Sequence, residues 1–113
     1  MVAGRATLDV MGEHNQMFIV LLKFSGNRSQ AGEFMDSHNA WIRRGFEEGI
    51  FLLSGSLLPK VGGGILAHNT SLSDLQTRVS EDPFVARDVV SAEIIEIMPA
   101  RTDARLVFLR DDA

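Results

Sequence analysis

Few residues in this chain have the right type for chemistry. There are three histidines and no cysteine. Disulfides, thiolate catalysis and zinc–thiolate sites are therefore excluded. His38 stands out by its setting. In the stretch FMDSHNAWIRRGFEEG, residues 34 to 49, the residues Phe34, Met35, Trp41, Ile42, Gly45, Phe46 and Gly49 follow helical spacing and make an apolar stripe, with His38 inside it. A leucine at that position would stabilise the fold by roughly 1.5–3 kcal/mol. A buried imidazole with no partner would instead cost about 1–3 kcal/mol. A hydrogen-bond partner or a role in proton transfer has to compensate; a backbone carbonyl would serve as well as a catalytic arrangement.

The other candidates have equally plain alternatives. Asp82 precedes Pro83, a combination that caps a helix start. Ser54 and Ser56 lie in LLSGSLL, which is not the Gly-x-Ser-x-Gly elbow of a serine hydrolase. Ser54 beside Gly55 offers a polar contact and room for a ligand, or simply marks a strand kinked at the glycine. Phe34 and Trp41 are core residues by pattern and lie one turn from His38, close enough to line an aromatic pocket. His14 falls in a polar lead and His68 near the end of a short strand. Neither has a neighbour at metal-ligand spacing, so no metal is expected. VGGGI, residues 61 to 65, lacks the Gly-Lys-Ser/Thr of a phosphate loop and reads as a flexible strand connection.

These residues must be positioned by a small single domain of 113 residues. Residues 1 to 16 read as a loose extension and residues 17 to 24, MFIVLLKF, as a strand. SGNRSQ is a loop, with Ser29 a suitable cap for a helix that runs to about Glu48 and stops at Gly49. A second strand is expected over 50 to 58, a turn over 59 to 64, and a third strand over 64 to 69. LSDLQTRVS forms a second helix and Asp82-Pro83 opens a further helical turn. A fourth strand covers 91 to 99. In the charged tail, 100 to 113, RLVFL could add an edge strand or cross to a partner chain.

The order strand–helix–strand–strand–helix–strand implies an α+β, ferredoxin-like fold: one four-stranded antiparallel sheet with both helices on one face. Residues 18 to 22 and 50 to 53 are apolar at every position, so both faces of those strands are oily. Two helices cover one face only, and the expected cover for the other is a second copy of the chain. The formal net charge of −4 argues against a nucleic-acid partner. No apolar run is long enough to span a bilayer, and the polar N-terminus lacks a signal-peptide core, so a cytoplasmic protein is expected. Arg43, Arg44, Glu47 and Glu48 read as a solvated helix face with local charge pairing.

MFIVLLKFS, the helix with His38 on its inner face, EGIFLLSGSLLP and DPFVARDVVSAEIIEI together resemble the YCII-related (YciI-like) family of the dimeric α+β barrel superfamily. The resemblance covers roughly residues 17 to 99. It implies two sheets pairing into a barrel across a homodimer, and a histidine–aspartate pair, here His38 and Asp82, meeting in a pocket between helix and sheet. It also implies lyase-, dehydrochlorinase- or isomerase-like acid/base chemistry on small cyclic or aromatic compounds, with no cofactor. Ser54, Gly55, Trp41 and Phe34 would then contact the ligand. The alternative is a non-catalytic dimer that binds a small ligand or a protein through a structural His–Asp pair. One departure is Asp88, where such proteins often carry glycine; aspartate tolerates the left-handed backbone that position requires.

Overall fold

The computed structural model describes residues 16–110. The extension that carries His14 lies outside the described residues, apart from Gln16. Four strands, β1 (Met17–Phe24), β2 (Phe51–Leu57), β3 (Gly62–His68) and β4 (Val90–Ile97), form one antiparallel sheet in the order β2-β3-β1-β4. Helix α1 (Ala31–Glu47) follows β1, and α2 (Leu72–Ser80) and the short α3 (Pro83–Ala86) follow β3. This is the expected ferredoxin-like α+β arrangement. No helix among the described residues is long and apolar enough to cross a membrane.

Strand β1 organises the core. Phe18, Val20 and Leu22 alternate toward the helices and are at most 3 % exposed, as period-two geometry requires. Their partners Ala67 and Ile65 on β3 are equally buried. Between them Met17, Ile19 and Leu21 face the opposite side, where they pair in register with Ile97, Ile95 and Glu93 of β4. Helix α1 approaches the sheet through Gly45. A Cβ there would lie 2.1 Å from the Phe51 ring, so only glycine admits this contact. The close approach narrows the buried stripe of α1 to His38, Trp41 and Gly45. Phe46, expected inside, stays 42 % exposed and meets Phe51 edge-on.

Several expected boundaries shift. Gln30, and not Ser29, occupies the N-cap of α1, and its side chain makes no cap bond, because a 3-10 turn over Arg28–Gln30 leads into the helix. The glycines at 62 to 64 are strand, paired with Lys23, Leu22 and Leu21, and not a flexible connection. Residues Ala104–Leu109 form 3-10 turns begun by Asp103, whose side chain accepts from the Arg105 N–H, so RLVFL is no extra strand. Asp88 does take the left-handed conformation, with φ of 59°. Its carbonyl and that of Arg87 accept hydrogen bonds from Asn27, which ties the loop before α1 to the turn after α3.

Candidate active site

The site is built by a three-residue device, Asp-Pro-Phe. Asp82 caps α3: its Oδ1 accepts from the Phe84 N–H at 3.0 Å, and Pro83 fills the first helical position, where no N–H is needed. The same Oδ1 lies 2.7 Å from His38 Nδ1 on α1. Phe84 then lays its ring flat on the imidazole, with centroids 3.9 Å apart and planes within 5°. One short turn therefore grips the imidazole at its edge through Asp82 and on its face through Phe84. Capping and pairing are not competing roles for Asp82. A single carboxylate oxygen performs both.

Burial gives the contact its force. Asp82 is 0 % exposed and His38 9 %. In such surroundings a carboxylate accepting from Nδ1–H fixes one tautomer and leaves Nε2 as the nitrogen free to exchange a proton. Among the described residues Asp82 Oδ2 is buried without a hydrogen-bond partner, and the His38 contact is one of two hydrogen bonds from them that hold this carboxylate.

His38 lines a cavity of about 250 Å³ between α1 and the sheet. The helix wall carries Met35, His38, Asn39 and Ile42, and the sheet wall carries Ser54, Gly55, Ser56 and the Gly62–Gly63 backbone. Two predicted ligand contacts, Ser54 and Gly55, thus share the cavity with His38. The other two do not. Phe34 sits half-buried under the Arg87 guanidinium, 5.4 Å from its ring centroid. Trp41 is buried to 2 % in the core and donates its indole N–H to the Arg78 carbonyl, which pins α1 to α2. It is spent on packing because it lies on the His38 stripe, which turns inward, whereas the cavity lies along the neighbouring row. Asn39 belongs to that row. Its spacing from Met35 and Ile42, four and three residues, was a signal in the sequence that the inner-stripe reading passed over. Phe84 was equally readable from its place two residues after the cap.

His68 lies apart from the cavity, at the end of β3, with Phe108 edge-on to its ring at 5.5 Å. Partial burial lowers its pKa, opposed by a hydrogen bond with the Gly49 backbone. Among the described residues no three His, Asp or Glu side chains come together as a metal-ligand set. At the C-cap of α1, Glu48 bonds to Arg78 of α2; this hydrogen bond and the Arg78 charge, with a smaller contribution from the Arg44 charge one turn back, hold its carboxyl below the ordinary value.

No protein-family model matches the chain, and no curated protein sequence matches it. Its structure is similar to that of the 5-chloro-2-hydroxyhydroquinone dehydrochlorinase TftG from Burkholderia phenoliruptrix, with a TM-score of 0.61 at 14 % identity over 76 % of this chain and 95 % of that one. A weaker likeness, TM-score 0.43 at 13 % identity over 79 % of this chain and 95 % of that one, joins it to SnoaB, a cofactor-independent oxygenase from Streptomyces nogalater. At such identities the likeness to the dehydrochlorinase establishes the fold alone, the α+β arrangement of one antiparallel sheet with helices on one face.

Proposed function

We propose that this chain is a YCII-related enzyme of acid/base chemistry on a small cyclic or aromatic compound, active as a homodimer and without a cofactor. His38 Nε2 takes the proton of a ring hydroxyl. The released electron pair moves into the ring, which takes a proton at the halogen-bearing carbon; loss of a second hydroxyl proton then expels the halide and leaves a quinone, or, on a ring without halogen, the proton transfer to carbon shifts a double bond. Asp82 orients the imidazole and stabilises it when protonated. Ser54 and its neighbours hold the substrate's oxygens. The observation that carries the reading is the 2.7 Å contact of His38 Nδ1 with a fully buried carboxylate, on a histidine that lines the cavity. A polar pair among apolar residues stabilises less than leucine packing would, and proton transfer explains its presence there. The fold shared with a dehydrochlorinase directs the choice toward elimination from a hydroxylated ring. The dimer rests on the uncovered apolar face of the sheet.

The second reading is a non-catalytic dimer that binds a small ligand or a protein, with His38–Asp82 as a structural link. The double use of Asp82 Oδ1 favours it, since a cap alone already requires that carboxylate. The test is chloride release from 5-chloro-2-hydroxyhydroquinone and related halogenated hydroquinones, compared between the wild type and His38→Asn. General acid/base loss predicts a fall of about 10²–10⁴-fold in the variant. Equal rates in the two proteins, or no release above the uncatalysed background, would support the binding reading.

A further inference from the structure

The sheet wall of the cavity is floored by consecutive glycines in β3, and they do not all serve the fold. Gly62 has φ of +150°, and a Cβ there would lie 1.9 Å from the Leu22 carbonyl oxygen. Gly64 is on the bare face, where a Cβ would press the Leu57 side chain at 3.3 Å. Gly63 differs from both. Its φ lies outside the region that favours glycine, and a Cβ would meet only the Gly55 carbonyl oxygen, at 3.4 Å. Its register partners are Leu22 and Ser56, both cavity-lining, so a side chain at 63 would stand on the same face and enter the cavity. Glycine weakens a strand interior, and no packing contact with a described residue demands it at this position. The space above it is therefore left for something that is not part of the chain.

The polar groups that border that space are exposed at its rim, where a ligand's oxygens could exchange with water. Asn39 on the helix wall and Ser54 and Ser56 on the sheet wall line the cavity with no hydrogen bond from their side chains to any described residue. They surround a floor of bare backbone and a roof that holds His38. A cavity of ~150 Å³ accommodates benzene, so about 250 Å³ holds one ring with its substituents.

We infer that Gly63 is the specificity-determining residue of this site: its missing side chain makes the floor on which a single flat ring lies beneath His38, with oxygen substituents reaching Asn39, Ser54 and Ser56. The inference rests on the proposed site but concerns binding, and it is tested without turnover. The probes are catechol, 1,2,4-trihydroxybenzene and the two-ring 1,4-dihydroxynaphthalene, titrated under argon into the wild type, Gly63→Ala and Gly63→Val, with ligand-observed NMR and ¹⁵N spectra of the His38 ring as readouts. The wild type binds the two single rings and not the naphthalene. Gly63→Ala weakens binding of 1,2,4-trihydroxybenzene about tenfold and Gly63→Val abolishes it. The Nδ1–H tautomer signal of His38 and the melting temperature are held or raised in both variants. If valine proves too large for the strand, the alanine variant alone decides. Wild-type affinity in a folded Gly63→Ala or Gly63→Val overturns the inference, and so does a wild type that binds none of the rings. Ring binding that depends on Gly63 in a protein that releases no chloride leaves the floor standing and overturns only the enzymatic reading.

Discussion

The two faces of the sheet are made from the same strands and have opposite fates. On the helix side, Phe18, Val20, Ile65 and Ala67 are sealed to 2 % exposure or less, and the unfilled space adjoins the buried His38–Asp82 pair. On the other side Leu53, Ile95 and Ile97 remain 54, 39 and 37 % exposed, and a shallow apolar slot of about 220 Å³ is floored by Gly55 and Gly64. The helix side is a finished interior with a polar exception. The bare side is an interior without its second wall. Apolar area of this kind is unusual on a free surface, and covering it with a second copy requires only that the face be self-complementary about a two-fold axis.

The contrast is broken most severely by charging the bare face. Ile19→Asp puts a carboxylate at its centre, between Leu66 and Ile95. In a two-fold dimer the charge enters twice, at several kcal/mol each when unpaired. The dissociation constant should rise by at least ~10³-fold. Sedimentation should give twice the chain mass of 12.4 kDa for the wild type and the single mass for the variant, with the helix side still folded. A variant that keeps the wild-type mass would mean that the bare face is not the interface.

The polar exception on the helix side responds differently. His38→Leu adds apolar burial but strips Asp82 of its partner in a site with 0 % exposure. Leaving such a charge uncompensated costs about 3–5 kcal/mol, more than the leucine returns, so the urea midpoint should fall. His38→Leu combined with Asp82→Asn removes the charge and keeps an oxygen for the Phe84 N–H, and most of the loss should be recovered. A single variant as stable as the wild type would show that the two residues are not coupled.

How far the sequence foretold these faces depends on the range of the interaction that decides each feature. Strand β1 over 17 to 24, helix α2 over 72 to 80 and the cap at Asp82 come from local pattern, and the structure has them where the pattern put them. The oily run of β1 also signalled that the strand is apolar on both faces, with Met17, Ile19 and Leu21 half-buried on the bare side. What was not legible depends on contacts between distant segments. Phe46 is exposed because Gly45 must admit Phe51, a relation invisible within the helix itself. Trp41 left the predicted pocket because its indole reaches the Arg78 carbonyl, 37 residues on. The tail residues Arg105–Leu109 have the composition of a strand but coil into 3-10 turns, because Asp103 caps them and no sheet edge is within their pattern. His38 and Asp82, 44 residues apart, were paired from a family likeness, since no local rule joins an inner-stripe histidine to a helix cap.

The smallest expected effect comes from the margin of the bare face, where Phe108 of the tail meets His68. Burial lowers the His68 pKa from its ordinary 6.5, against an opposing hydrogen bond with Gly49. The folded protein therefore holds this ring neutral more firmly than the unfolded chain does. Between the two pKa values the unfolded state binds more protons, so stability rises with pH there. The contribution is complete above about pH 6.5, the unfolded value, and is lost as pH falls through the lowered folded one. The slope corresponds to a fraction of one proton because the ring keeps substantial contact with water. Urea midpoints measured from pH 7.5 to pH 5 should decline slightly less in His68→Gln than in the wild type. Phe108→Ala, which opens the ring to solvent, should shrink the same slope. If both variants track the wild type across that range, the tail does not desolvate His68, and this corner of the bare face is as open as the strands beside it.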